Sequence, residues 1–437
     1  MPDTVVVAAV RTPVGKLGGS LSSLAATTLG GEAIRVAVAR CGIDPSQIDH
    51  SIVGQVIQAG AGQAPHRQVT FIAGLPKTVT SETVNKVCAS GTLAIASAHR
   101  LIQAGAHRSV VASGMESMSR APYLVPEARF GYRMGDAKLI DSMMNDGLWD
   151  AFLHQTMAQE SDRVASHLGL GRERQDEFAL RSHHRAVDAF EQGRLADEMV
   201  PLKVATKSRG RLVIDKIPAA RELVGVGAMR VDETPDEFVA KPEKFSPYLA
   251  DPSAPFALVE RDEAPRKDTS LDALAKLKPL NPGGSITAGN APGVNDGAAA
   301  LVLVSSDFAR QNGLTPLAKV LGHATAAWDP PYLPVTPAMA AVKLLDEHRL
   351  RVEDIALWEI NEAFAAVALS SIDRLGLDQE RVNVDGGAIA IGHPLGASGA
   401  RIVVHLIHAL RKRGGGLGVA AICSGGGQGD ALLVEVG

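Results

Sequence analysis

Cys88 stands in Val84-Asn85-Lys86-Val87-Cys88-Ala89-Ser90-Gly91, where a loop gives way to a helix rich in small residues. A helix N-terminus presents unpaired backbone N–H groups and partial positive charge, which favour a thiolate over a thiol. A nucleophile is one reading of that position; a small buried hydrophobe, as most free cysteines are, is the other. Three more segments set reactive or hydrogen-bonding side chains near glycine: Asn361-Glu362-Ala363-Phe364, the run 386–394 with His393, and Cys423-Ser424-Gly425-Gly426-Gly427-Gln428-Gly429. Glycine lets backbone N–H groups approach a ligand, and strand ends are where α/β sheets bind ligands. Taken singly, His393 also reads as a satisfied core histidine and Cys423 as a buried thiol. The last glycine run lacks the Lys-Ser/Thr of a phosphate-binding P-loop.

The bulk of the chain narrows the setting. A length of 437 residues suffices for two or three domains, and a net charge of −4 with few aromatics leaves no footprint for nucleic acid. No apolar run is long enough to span a membrane, so the expected partner is a small molecule. Cys41, Cys88 and Cys423 are odd in number and far apart, which argues against a disulfide framework and a Cys-rich zinc site; no metal is expected. The N-terminus enters a strand-like run at 4–10 without a leader pattern, and the final Val434-Glu435-Val436-Gly437 is not a peroxisomal address. The expected compartment is reducing, with the cytoplasm as default.

The elements that must position these groups read as alternating strands and helices. A helix over 32–40 packs Cys41 into a core; a strand covers 52–57; 75–83 reads as loop. The helix after Cys88 runs to a stop at Gly105, with small residues on every side, so it is expected to be buried all round. A strand at 109–114 follows, and such alternation implies a mostly parallel sheet with helices on its faces. From Arg120 to about Leu280 charge, Met and Pro increase, with one clear helix over 172–192, which predicts an inserted domain or long lid. Alternation resumes at Ser285, with strands at 298–304, 317–321, 355–360, 418–422 and 431–436. Thr336-Pro337 reads as the N-cap and first turn of a helix. A long helix after His393 ends in Arg411-Lys412-Arg413-Gly414, cations and glycine where a C-terminus favours them.

Two stretches echo each other: Cys88 opens a small-residue helix leading to a strand, and so does His393. Two similar halves about a pseudo-twofold would bring both helix starts to the centre, and with them Cys88 and His393. The general likeness of α/β units is the competing explanation.

In these motifs the chain resembles the thiolase family, of the acetyl-CoA acetyltransferase or 3-ketoacyl-CoA thiolase kind, over nearly its whole length. Besides the four segments above, the likeness rests on Arg11-Thr12-Pro13, Gln63-Ala64-Pro65-His66-Arg67, Ser113-Gly114-Met115-Glu116-Ser117-Met118-Ser119, Gln175-Asp176-Glu177-Phe178-Ala179, Thr287-Ala288-Gly289-Asn290 and Asn295-Asp296-Gly297-Ala298. The resemblance implies an α/β thiolase fold, five-layered α/β/α/β/α, from two similar halves with an inserted loop domain that covers CoA. The boundaries expected are 1–121 and 285–312 for the N-terminal half, 122–284 for the inserted domain and 313–437 for the C-terminal half.

It implies an acyltransferase that makes and cleaves 3-ketoacyl-CoA, with CoA thioesters as substrates, no cofactor, and a homodimer or homotetramer as assembly. Cys88 is then the acyl carrier, His393 its base and Cys423 the second acid/base. The N–H groups of Cys88 and Gly425 would stabilise one oxyanion, and His393 with a water held by Asn361 the other. Glu362 reads either as a support or as a solvated carboxylate. Leu148, Met157, Ala288, Ala363 and Phe364 match positions along the pantetheine and acyl tunnel, and Arg266 a basic residue near the nucleotide end. Departures are Thr156-Met157-Ala158 for His-Met-Gly, Pro292 and Ala273 for serines, and the long stretch 207–262. A ketoacyl synthase and a non-catalytic CoA- or lipid-binding homologue are the alternatives. Asn361 and Cys423 count against the first, and the complete reactive set against the second.

Overall fold

The computed structural model describes residues 2–205 and 256–437, so most of the stretch 207–262 lies outside the described residues. The first half of the main sheet comprises β1 (Thr4–Arg11), β2 (His50–Gly54), β3 (Thr80–Val84), β4 (Ser109–Ser117) and β5 (Asn295–Ser305), in the spatial order β3-β2-β4-β5-β1. The second comprises β6 (Ala318–Ala327), β7 (Ile355–Ile360), β8 (Gly416–Ser424) and β9 (Gln428–Val436), in the order β6-β9-β8-β7. β1 and β6 join the halves through the antiparallel pairs Thr4↔Val320, Val5↔Lys319 and Val6↔Ala318.

Counted outward from that seam, both halves follow one plan. β1-β5-β4 and β6-β9-β8 are antiparallel, and the next pairs, β4-β2 and β8-β7, are parallel. The echo in the sequence is therefore a structural repeat. The mostly parallel sheet expected from alternation is corrected: each half closes on an antiparallel pair. In the second half that pair is a hairpin turning at residues 425–427, where Gly426 and Gly427 take φ of 76° and 66° that favour glycine. In the first half the same connection carries the insertion, residues 118–294.

Side-chain alternation along the strands divides the interior into three cores. Val110, Ala112, Ala420 and Ile422 face a central core, while Val111 faces an outer one and Val419 and Ala421 the other. α1 (Ala26–Cys41) and α2 (Pro65–Ile72) cover the first outer face; α6 (Thr336–His348) and α7 (Ala365–Leu375) cover the second. α3 (Ser90–Gln103) and α8 (Leu395–Lys412) lie between the two halves of the sheet, which completes five layers. Small residues let these two helices meet. A Cβ on Gly91 would stand 2.4 Å from Ala400 N, and one on Gly399 2.4 Å from Thr92 Oγ1. The insertion adds α4 (Met157–His167) and α5 (Arg172–Glu191) against the second half.

Several local expectations are revised. Residues 80–84 form the edge strand β3, not loop; its alternating polar residues carry no apolar signal. The second strand ends at Gly54 rather than 57. α1 starts at Ala26 rather than 32, because Gly30 and Gly31, which read as breakers, sit inside it against Met115 and Ile72. Thr336 is the first residue of α6 rather than its N-cap, and its hydroxyl meets the carbonyls of Leu333 and Gln428. α4 was not expected, although Thr156 and Gln159 form a capping box at its start. Cys41 is half-buried against the first outer core, and its thiol donates to Val38 O.

Candidate active site

Cys88 is presented by a strained loop just ahead of α3. Val87 adopts φ 44°, a left-handed conformation that costs a β-branched residue about 1–3 kcal/mol. Hydrogen bonds hold it there: Val87 N donates to Asn85 Oδ1 at 3.0 Å, and Ser90 Oγ donates to Val87 O at 2.6 Å. The same hydroxyl accepts from Lys86 N at 2.9 Å. Cys88 is buried, and the backbone N–H groups of Cys88 itself and of Gly425 lie near enough to its sulfur to favour the charged form. Burial pushes the thiol up to about 12, and the two N–H groups only partly oppose it. The thiolate expected from the helix N-terminus is thus corrected, because removal of the sulfur from water outweighs the local positive potential.

His393 occupies the equivalent place before α8. Gly392, at φ 122°, leaves no room for a Cβ, which would stand 2.6 Å from Asn295 Cγ. Asn295 Oδ1 accepts from His393 N at 2.9 Å and fixes the turn. The imidazole Nδ1 lies 2.6 Å from Ser398 Oγ, which donates to Pro394 O at 2.9 Å. Ser398 therefore accepts from Nδ1–H, and Nε2 is the unprotonated nitrogen. Burial lowers the imidazole to about 3, with Arg401 adding to the effect, so His393 is neutral. Glu116 on β4 supports the same helix start: its carboxylate accepts from Gly396 N and Val56 N, each at 3.0 Å. Burial pushes Glu116 up to about 7, and these N–H groups hold it down against that.

Cys423 is the last residue but one of β8 and is fully buried with Leu333, Ala363 and Val367; burial and then the neighbouring Cys88 raise its thiol well above the ordinary range. Asn361 follows β7, donates from its backbone to Ala421 O, and brings its Nδ2 to 3.5 Å from His393 Nδ1. Glu362 is not solvated. Its carboxylate is buried and accepts from Ser182 Oγ at 2.7 Å, Asn383 Nδ2 at 2.8 Å and Ile389 N at 3.0 Å. It ties α5 of the insertion to the loops around His393.

Cys88, His393 and Gly425 line one cavity of about 320 Å³. Its other walls include Leu148, Met157, Pro292, Ala363 and Phe364, all expected from the sequence, and Met118, Met144, Leu333 and Leu395, which were not. Thr156 and Ala158 also border it. Ala288 and Arg266 are exposed and do not line this cavity; the backbone N–H of Arg266 donates to His183 Nδ1. Sequence reasoning missed Ser398 and Glu116 as supports; Ser398 lies one helical turn and a half beyond His393, a spacing that carries meaning only once the helix start is placed. Among the described residues no group of His, Cys, Asp and Glu is arranged to hold a metal ion.

A buried thiol, a neutral imidazole and a second buried thiol, at the centre of two repeated α/β halves, are groups that acyl transfer could use. The chain belongs to the thiolase family: the thiolase N-terminal domain matches residues 4–230 and 247–307, and the thiolase C-terminal domain residues 314–436. It is 42% identical over 436 residues to an acetyl-CoA acetyltransferase of Cupriavidus necator, with all of both chains covered. Among solved structures it is similar to the Bacillus anthracis acetyl-CoA acetyltransferase, with a TM-score of 0.87 and 37% identity over 100% of this chain and 99% of that one. The Acat5 thiolase from Ascaris suum in complex with coenzyme A matches with a TM-score of 0.84 and 38% identity, covering 99% and 100% of the two chains.

Proposed function

We propose that this protein is a CoA-dependent C-acyltransferase that catalyses the reversible Claisen condensation of acyl-CoA with acetyl-CoA and the thiolysis of 3-ketoacyl-CoA. The observation that carries this is the meeting of Cys88, His393 and Gly425 in the walls of one cavity, with the second thiol, Cys423, buried beside Cys88. When Cys88 attacks a thioester, its proton passes to the neutral His393 and its sulfur bonds to the carbonyl carbon. The carbonyl electron pair moves to oxygen, where the two N–H groups stabilise the charge. Collapse expels the CoA thiolate, which recovers the proton from His393, and leaves the acyl group on Cys88.

In the second half-reaction Cys423 passes its proton to His393 Nε2 and, as a thiolate, takes the α-proton of acetyl-CoA; the resulting enolate carbon attacks the acyl carbonyl. Cys88 departs as a thiolate and takes the proton held on His393 Nε2, which restores both thiols and the neutral imidazole. His393, with a water held by Asn361, stabilises the enolate oxygen. Hydrolysis would need one thiol; carbon–carbon bond formation uses both. Leu148, Met157, Pro292, Ala363 and Phe364 then contact pantetheine or the acyl group, with Arg266 and Ala288 nearer the outer end of CoA. No cofactor is required, since CoA and its thioesters are substrates.

The condensing-enzyme alternative lacks a role for Cys423, and the non-catalytic alternative lacks one for the strained Val87 turn. We further propose a cytoplasmic homodimer or homotetramer acting in fatty acid metabolism, including β-oxidation. The decisive assay is cleavage of acetoacetyl-CoA by free CoA: turnover is expected, and none from a folded protein refutes the proposal. A series of longer 3-ketoacyl-CoA substrates then reads the acyl length the cavity accepts.

A further inference from the structure

The loop that presents Cys88 belongs to the first half, whereas Gly425 and Cys423 belong to the second. Acyl transfer of the kind proposed above needs these elements held at a fixed separation, and one residue spans the gap. The Lys86 ammonium reaches into the second half of the sheet and pairs with Asp430, a fully buried residue on β9 opposite Ile422 of β8. The other Asp430 oxygen lies 3.1 Å from His323 Nε2 on β6, so the carboxylate is held from a third strand. Lys86 is also tied through its backbone: its carbonyl accepts from Ser424 Oγ at 2.6 Å, between Cys423 and Gly425 in the chain. Residue 86 is thereby fastened at two points to the hairpin that carries the second thiol and the second oxyanion donor.

We propose that Lys86, through Asp430 and His323, is a positioning residue that sets the separation of the Cys88 sulfur from the Gly425 N–H. The adjoining Val87 side chain packs toward the same turn, since a Cβ on Gly425 would meet Val87 Cγ1 at 3.4 Å. With the clamp released, the strained Val87 conformation is free to relax away from the hairpin. The oxyanion donor then no longer meets the developing charge, although the substrate cavity itself is unchanged. The ammonium acts through geometry; it touches neither substrate nor thiol.

The test is the rate of acyl-enzyme formation from labelled acetyl-CoA in the full-length protein, measured in the parent, Lys86→Met, Lys86→Arg and Asp430→Asn. Lys86→Met is expected to slow acylation by about 10- to 100-fold, up to the lower limit for outright loss of an oxyanion donor, with KM within about two-fold of the parent. Lys86→Arg should restore most of the rate, and Asp430→Asn should reproduce the defect if Lys86→Met proves too unstable to purify. The pH dependence of Cys88 alkylation by iodoacetamide is expected to keep the parent's midpoint in Lys86→Met. Acylation at the parent rate by folded Lys86→Met or Asp430→Asn overturns the inference, and so does a displaced alkylation midpoint, which would make the lysine an electrostatic activator. A parent protein that forms no thioester overturns the acyl-transfer reading and this inference together.

Discussion

Cys88 is a thiol rather than a thiolate in the free protein, and that bears on how it reacts. Because burial pushes it up to about 12 while His393 is lowered to about 3, no thiolate–imidazolium pair forms before substrate binds. Alkylation by iodoacetamide should therefore rise with pH through the alkaline range; a plateau between about pH 6 and 8, the signature of a pre-formed ion pair, would contradict this. Cys88→Ala should abolish acyl-enzyme formation and turnover, and a labelled acyl group still covalently held by that variant would refute the assignment. Cys423→Ala should still take up an acyl group yet lose condensation by on the order of 10²-fold or more, the scale of a general acid–base group. Near-normal condensation by that variant would remove Cys423 from the chemistry.

At the scale of elements, α3 and α8 start beside Cys88 and His393 and bring these two residues to one cavity only because the helix backbones approach closely. Gly399→Ala puts a Cβ 2.4 Å from Thr92 Oγ1 and 2.5 Å from Thr92 N, and the second of these is backbone that cannot swing aside. It should destabilise the fold by about 1–3 kcal/mol, read from the midpoint of denaturant unfolding at unchanged m-value. A midpoint equal to the parent's would mean that the helices separate freely. The identity of α8 as a buried helix was legible in its small and apolar residues, as was its C-terminal stop. The starts of α1 and α6 were not, because glycines that pack against Ile72 and Met115 look like breakers, and a threonine that bonds to distant carbonyls looks like a cap.

Across the whole molecule, a buried charge cluster fastens the insertion to both halves. Arg11 at the end of β1 pairs with Glu198 and Asp262 of the inserted segment, and Glu198 accepts from His405 of α8 at 2.9 Å. Burial alone would lower the His405 imidazole, but the Glu198 and Glu359 carboxylates outweigh it and raise the group to about 9. A raised imidazole contributes stability in full below its unfolded value near 6.5, and the contribution is lost as pH rises through about 9. Glu198 is itself held below the ordinary carboxylate range, against its own burial, by His405 and Arg11; its contribution is present at neutral pH and is lost on acidification. Unfolding free energy should thus fall between about pH 6.5 and 9, and His405→Gln should flatten that limb; an unchanged slope would show that the cluster does not carry it.

The sequence alone picked out the candidate residues, the repeat and the presence of an insertion, because these are properties of residue type, order and spacing: a cysteine and a histidine each opening a small-residue helix, glycines after Cys423, and a change of texture beyond Arg120. Tertiary structure decided what depends on neighbours far along the chain. It set the antiparallel closure of each half, the support of His393 by Ser398 and of its helix by Glu116, and the burial of Glu362 by partners from α5 and the 383–389 loop. It also decided the protonation of Cys88. A helix N-terminus is a local feature that favours a thiolate, whereas the desolvation that overrides it comes from residues of both halves and the insertion that enclose the thiol.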